Sequence, residues 1–330
     1  MNAIAATAPG GPEMLHSVDT SVPTPRPGEV LIRIAAAGVN APDLAQRRGD
    51  YPPPPGASPL LGLEVSGEIV EAAGEWQIGD QVVALTSGGG YAEYVAVAAG
   101  QVLPLPRSWT LTDAAALPEC WFTLTQTLII RAALQPGMSV LIHGAAGGIG
   151  GAAIVLCKIL GADPIAVVSS EAKADYVLRL GARVAIRHDL EDVVTRTREL
   201  TDGRGADRII DMQGGAMSAR NIDAAARSGH IVVLATLSGG DTTLPLNKLV
   251  AKQLTISGST LRPQSPETKA AIAARLRRDF WTAISDPGVP RPLIRQFPLA
   301  EAAEAHRAME ERAHFGKIVL VTPFGARQLR

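Results

Sequence analysis

The stretch Ser139-Val140-Leu141-Ile142-His143-Gly144-Ala145-Ala146-Gly147-Gly148-Ile149-Gly150, running on to Gly161, decides the fold. Val140-Leu141-Ile142 is a continuous apolar run, as a parallel strand buried on both faces shows. After the glycines, Ala152, Ile154, Val155, Leu156, Ile159 and Leu160 recur at helical spacing. The order is strand, glycine turn, helix. Residues without Cβ let a backbone approach a pyrophosphate, and the free N–H groups and dipole of a helix start favour its charge. Gly147 and Gly150 are the expected close-approach positions. A bare strand-to-helix turn would read the same way at this one spot, so the context has to decide.

That context is a series of strand and helix units. Residues 164–168 read as a second buried strand, 172–180 as a helix closed by Gly181, 183–186 as a third strand and 190–200 as another helix. Strands at 208–211, 230–234 and 254–258 complete a parallel sheet of about six strands with helices on both faces, the doubly wound pattern. Before it the chain has a different texture. Residues 29–34, 64–70, 81–85 and 91–95 read as strands, several with alternating polarity, separated by Pro and Gly turns and by the proline run Tyr51-Pro52-Pro53-Pro54-Pro55. A helical pattern spans 113–134. Beyond the sheet, 266–284 reads as one long helix, 291–297 as a strand, 300–312 as a helix and 316–321 as a last strand that rejoins the first domain. The expected division is 1–118 with 262–330, and 119–261, with a site in the cleft between them.

Composition narrows the function. A chain of 330 residues is longer than one core usually supports, and 46% hydrophobic content excludes disorder. Thirty-one basic against 32 acidic residues give a net charge of −1, which leaves no electrostatic case for nucleic acid or an anionic membrane as the main partner. Cys120 and Cys157 alone cannot build a disulfide framework or a cysteine metal site. The apolar N-terminus lacks a basic region and stops at Pro9-Gly10-Gly11-Pro12, so it reads as an opening strand rather than a leader. No run reaches the ~18 apolar residues of a membrane helix. The expectation is a soluble, cytoplasmic protein with a small-molecule ligand.

Motifs along nearly the whole chain carry a resemblance. They are Ala37-Gly38-Val39-Asn40 with Asp43, Gly49-Asp50-Tyr51-Pro52, Gly62-Leu63-Glu64-Val65-Ser66-Gly67, Gly79-Asp80-Gln81-Val82, Tyr91-Ala92-Glu93-Tyr94, Leu117-Pro118-Glu119 with Phe122-Thr123, Ala145 to Gly150, Gly258-Ser259-Thr260-Leu261-Arg262 and Gly316-Lys317-Ile318-Val319-Leu320. The chain resembles the zinc-independent medium-chain dehydrogenases/reductases of the quinone oxidoreductase, zeta-crystallin-like, type. The resemblance implies a GroES-like β-rich domain beside a Rossmann domain, homodimers or homotetramers, and NADPH-dependent reduction of a quinone or similar activated carbonyl compound. An enoyl-thioester or enone reductase, or a non-catalytic NADPH-binding protein, would share these motifs.

Metal-dependent relatives in this superfamily place a Cys near Asn40 and a His after Gly62, where this chain has Val39-Asn40 and Leu63, and their run of four cysteines is missing. His16, His143, His188, His230, His306 and His314 show no ligand spacing. Zinc can lower the pKa of bound water from 15.7 to about 7, on the order of 12 kcal/mol of anion stabilisation. Without that help an acceptor that is already electrophilic is the expected substrate.

For the nicotinamide end the resemblance points to Asn40, Tyr51 and Thr123, with Tyr51 as a proton donor. Asn40 and Thr123 would equally serve as a turn and a cap, and Tyr51 as a packing aromatic. For the nucleotide it implies contacts from Ala146, Gly147, Gly148, Ile149, Gly150, Leu234, Ser238, Gly258, Thr260 and Lys317. Ser170 and Lys173 match positions that contact the 2′-phosphate, and His188 stands where the family often has a phosphate-binding Tyr. A helix cap is the plainer role for Ser170 and a solvated charge for Lys173. Glu171 works against a phosphate there. Cys120 has no readable base beside it and reads as a buried thiol.

Overall fold

One long strand organises the first part of the molecule, which a computed structural model describes over residues 1–311 and 314–328. The strands there are β1 (Asn2–Ala6), β2 (Leu15–Asp19), β3 (Glu29–Val39), β4 (Glu64–Glu71), β5 (Gln81–Leu85), β6 (Tyr94–Ala98) and β7 (Val102–Pro104). Nine residues of β3 are buried, including Val30, Ile32, Ile34, Ala37 and Val39, because it pairs with β4 and with β6 and so lies inside the sheet. Its side chains join those of Val65, Ile69, Val82 and Val97 in one apolar cluster.

The second part follows: β8 (Ser139–Ile142), β9 (Asp163–Val168), β10 (Val184–Arg187), β11 (Ala206–Asp211), β12 (Ala225–Val233) and β13 (Thr255–Gly258). All its pairings are parallel, in the order β10-β9-β8-β11-β12-β13. The order reverses between β8 and β11, the switch point at which doubly wound sheets open a crevice beyond the strand ends. Leu141, Ile165, Val167, Ile186, Ile209 and Ile231 form its core. Two further strands, β14 (Ile294–Pro298) and β15 (Lys317–Val321), return to the first sheet, where β15 pairs antiparallel with β3. By contacts the chain divides into residues 1–122, 261–287 and 293–330 as one unit and 123–260 with 288–292 as the other. Among the described residues no helix is long and apolar enough to cross a membrane.

Local chemistry moved several expected elements. The strand expected at 91–95 begins three residues later, because Tyr91 N donates to Leu61 O and Ala92 bridges to Ala3 before the ladder with β3 starts. The helical stretch 113–134 is three pieces: a 3₁₀ turn Asp113–Ala116, an α-helix Pro118–Leu124 and a π-helix Thr125–Arg131. Pro118, which has no N–H to donate, starts the middle piece. The helix expected from 190 starts at Val193, since Asp192 caps it by accepting from Thr195 N. The long helix 266–284 breaks at Phe280, whose backbone leaves helical geometry at φ −129° while its ring is buried. The helix expected at 300–312 is a 3₁₀ turn Leu299–Glu301 followed by Ala302–Glu310, and Arg312 lies outside the described residues.

Candidate functional site

The first unit holds a buried polar cluster built on adjacent strands. Glu64 opens β4 and Lys317 opens β15, both on neighbours of β3, and Asn40 follows the end of β3 as the N-cap of the helix Ala41–Arg48. Lys317 Nζ donates to Glu64 Oε1 at 2.5 Å and to Asn40 Oδ1 at 2.6 Å, and Asn40 Nδ2 donates to Glu64 Oε1 at 2.8 Å. The other Glu64 oxygen accepts from Glu119 N at 2.9 Å. Gly38 makes the room: a Cβ there would collide with the Glu64 carboxylate. Asp43 accepts from Asn40 N at 2.8 Å and from Gly62 N at 2.9 Å, fixing the loop that carries Leu63.

The electrostatics follow from burial. Desolvation alone would lower Lys317, but the Glu64 carboxylate beside it outweighs that and holds the ammonium above its usual pKa. Burial, then the nearby Glu64 charge, pushes Glu119 up to about 8, and burial pushes Asp43 up to about 6. Glu119 is therefore mostly a protonated carboxyl at neutral pH, able to donate. Cys120 is pushed by burial up to about 12, which keeps it a thiol.

Tyr51 lies in the loop after the helix Ala41–Arg48, half-buried, with the Arg262 guanidinium over its ring at 5.5 Å. Burial raises its phenol above the usual value, so it stays protonated. Arg262 Nε donates to Ser87 O at 2.9 Å, while Lys269 Nζ donates to Ser87 Oγ at 2.7 Å and to Arg262 O at 2.8 Å.

In the second unit the nucleotide candidates gather at the carboxyl ends of the parallel strands. Gly147 caps the 13-residue helix Gly148–Leu160 directly beyond β8. The N–H groups of Gly148, Ile149 and Gly150 are in the first turn and have no carbonyl of that helix to meet. A Cβ on Gly147 would approach only Gly144 O, at 3.5 Å, so this position is open to a ligand. Gly150 differs from expectation: a Cβ there would lie 2.5 Å from Ala145 Cα, so its glycine serves the packing of helix against turn. Ala146 is buried in the same turn. The glycine turn thus fits a pyrophosphate.

Beyond β9, Ser170 caps the helix Glu171–Leu180 by accepting from Lys173 N at 3.3 Å, and Lys173 Nζ donates to Ser169 Oγ at 3.2 Å. His188 is exposed just past β10. Past β12, Leu234 N donates to Asp211 O, and the exposed Ser238 donates from Oγ to Gln213 Oε1 at 3.0 Å. Gly258 ends β13, its carbonyl accepting from Arg131 Nη1, and Thr260 is exposed beyond it. Thr123 lies in the helix Pro118–Leu124 and begins this unit. Among the candidates the structure joins Asn40 to Lys317 directly, and that bond engages Lys317 inside the first unit rather than among the nucleotide candidates.

Sequence reading passed over three groups. Asp211, fully buried, accepts from Gln213 N, Gly214 N and Ser218 Oγ and so shapes the loop beyond β11; an Asp at the end of an apolar strand before Gly-Gly was the available signal. Glu119 and Arg262 stood inside motifs without a role. Their roles depend on neighbours far along the chain.

The comparisons agree with this architecture. Residues 26–107 match the model of the alcohol dehydrogenase GroES-like domain and residues 148–276 that of the zinc-binding dehydrogenases. Fold and site thus define a medium-chain dehydrogenase/reductase. Quinone oxidoreductase of Sus scrofa is 31% identical, covering 97% of this chain and 98% of its own, and the chain belongs to the quinone oxidoreductase family of these oxidoreductases. Among solved structures, an NAD-dependent alcohol dehydrogenase is similar at TM-score 0.85 and 32% identity, covering 97% of this chain and 99% of its own. Escherichia coli quinone oxidoreductase, solved in complex with NADPH, is similar at TM-score 0.84 and 28% identity, covering 97% and 100%. Among the described residues no three His, Cys, Asp or Glu side chains gather so as to hold a metal.

Proposed function

We propose that this chain is an NADPH-dependent reductase that passes hydride to a quinone or similar activated carbonyl acceptor without zinc. The reading rests chiefly on the open helix start at Gly147–Gly150 beside the switch point of the sheet. Preference for NADPH is supported by Ser169-Ser170 beyond β9, where an acid would select NAD, and by Lys173 and His188 nearby. Bound NADPH supplies the hydride. Tyr51 supplies a protonated phenol for the oxygen that gains charge, and Glu119 a second protonated group in the same unit. Leu63 and Val39 replace metal ligands, and the Lys317 ammonium on Glu64 disfavours a second cation there. A cytoplasmic homodimer or homotetramer belongs to the same reading.

An enone acceptor is the second reading, favoured by the Tyr51 hydroxyl, which a carbonyl oxygen would need as donor. Titration with NADPH and NADH, turnover on quinone and enone panels, and elemental analysis test these points together. The expected result is tighter NADPH binding, turnover in chelator and no stoichiometric zinc. NADPH binding without turnover on either panel would select a non-catalytic role, and one zinc per chain would overturn metal independence.

A further inference from the structure

Arg262 is a buried cation whose guanidinium no described residue completes. It is 5% exposed, and its Nε is bonded to Ser87 O, yet among the described residues neither Nη1 nor Nη2 has a hydrogen-bond partner. Arginine carries five N–H donors and cannot shed its charge, so a buried fork left open is costly, and buried polar groups are nearly always paired. Its surroundings do not offset it. Lys269, 3% exposed, adds a second positive charge, and its ammonium donates to Ser87 Oγ and to the Arg262 carbonyl rather than to a carboxylate. The acids whose fields reach Arg262 are Asp43 and Glu119. Asp43 is occupied by the Asn40 and Gly62 N–H groups, and among the described residues Glu119 forms no ion pair with either cation, the buried Lys–Glu pair being Lys317 with Glu64.

The fork is also held in place. Ser87 fixes one edge of the guanidinium, and the Tyr51 ring lies beneath it at 5.5 Å. Two parallel N–H donors on a fixed plane match the two oxygens of a carboxylate. Tyr51 is also the proposed proton donor, which puts the open fork beside the reacting end of the acceptor.

We propose that Arg262 binds a carboxylate of the acceptor, so that the substrate class is an activated carbonyl compound bearing an acid group. The proposal rests on the reductase reading for the word acceptor, but the anion site itself does not. A phosphate of the cofactor is the other source of a matching oxyanion, and the experiment separates the two.

Calorimetry on the full chain without cofactor would use 3-benzoylpropionate, which cannot be reduced as an enone, and its methyl ester. Arg262→Met and Arg262→Lys would be run beside the wild type, with NADPH titrations and thermal melts for all three. The unsaturated pair, 3-benzoylacrylate and its ester, would be assayed with NADPH. The acid should bind the wild type about ten- to hundredfold more tightly than the ester, the range for a charge-assisted bidentate contact. Arg262→Met should erase that difference, Arg262→Lys should keep part of it, and NADPH affinity should not change. Melting of Arg262→Met should not fall, since an apolar replacement removes an unpaired charge. Equal binding of acid and ester, or no binding of the acid, would overturn the proposal. Loss of NADPH affinity in Arg262→Met would overturn it in favour of a cofactor phosphate. Selective binding of the acid without turnover would sink the reductase reading and leave the site standing; turnover blind to the acid group would do the reverse.

Discussion

Lys317 and Arg262 are both buried cations of the first unit, 3% and 5% exposed, and they stand in opposite conditions. Lys317 is closed on Glu64 and Asn40, whereas among the described residues both Nη groups of Arg262 lack a partner. Burial strips hydration from both charges, so the difference that matters lies in who replaces the water. Where the chain supplies the replacement, the cation is scaffold: it ties β15 to β4 across β3. Where no described residue supplies it, the cation is left able to take an oxyanion from a ligand, as proposed above.

The sharpest way to break this contrast is to remove the satisfied cation. Lys317→Met leaves the Glu64 carboxylate buried and unpaired, and a loss of about 3–5 kcal/mol in unfolding free energy is expected by urea denaturation. Pairing it with Glu64→Leu should recover most of that loss. A Lys317→Met protein as stable as the wild type would show that the pair is not structural.

A third cation extends the series to the surface. Lys173 is only partly buried and is hydrogen-bonded to Ser169 Oγ, so its removal should change stability little. Lys173→Ala is expected to weaken NADPH binding by about 1 to 3 kcal/mol and NADH binding hardly at all. Equal losses with both cofactors would strip Lys173 of any part in reading the 2′-phosphate.

Tyr51 tests the side of the contrast proposed to meet the ligand. Tyr51→Phe keeps a ring beneath Arg262 and deletes the donor, and kcat should fall about tenfold to a hundredfold with NADPH affinity intact. The fall should be larger for an enone than for a quinone, whose reduced product is the weaker base. Unchanged kcat on both would return Tyr51 to packing.

Glu119, which lies in the field of both cations, gives the contrast a pH readout. Its pKa is raised from 4.5 to about 8, so the native state holds a proton that the unfolded chain releases earlier. Stability from this group is fully present below pH 4.5 and lost as pH rises through 8. Urea midpoints across that window should therefore decline more steeply in the wild type than in Glu119→Gln. Asp43, raised to about 6, acts in the same direction, and His306, lowered to about 3 by burial, acts in the opposite one, losing stability as pH falls below 6.5. Parallel pH curves for the two proteins would mean that Glu119 titrates normally.

The sequence by itself determined whatever depends on short-range pattern. The apolar runs at Val140–Ile142 and 164–168, the glycines between strand and helix, and Gly181 closing its helix each carry their physical cause within a few residues. Helix ends were less legible where a single side chain sets them, as Asp192 does, or where burial of one ring bends the chain, as at Phe280. Two glycines show the limit. Gly147 and Gly150 look alike in the sequence, but only the packed turn leaves Gly147 open and presses Gly150 against Ala145. The charges show it further. Glu64 and Lys317 are 253 residues apart, and Ser87 and Arg262 are 175 apart. Whether a buried charge meets a partner is settled by which strands lie side by side, a long-range fact that no local pattern of residues encodes. Tertiary structure alone closed Lys317 and left Arg262 open.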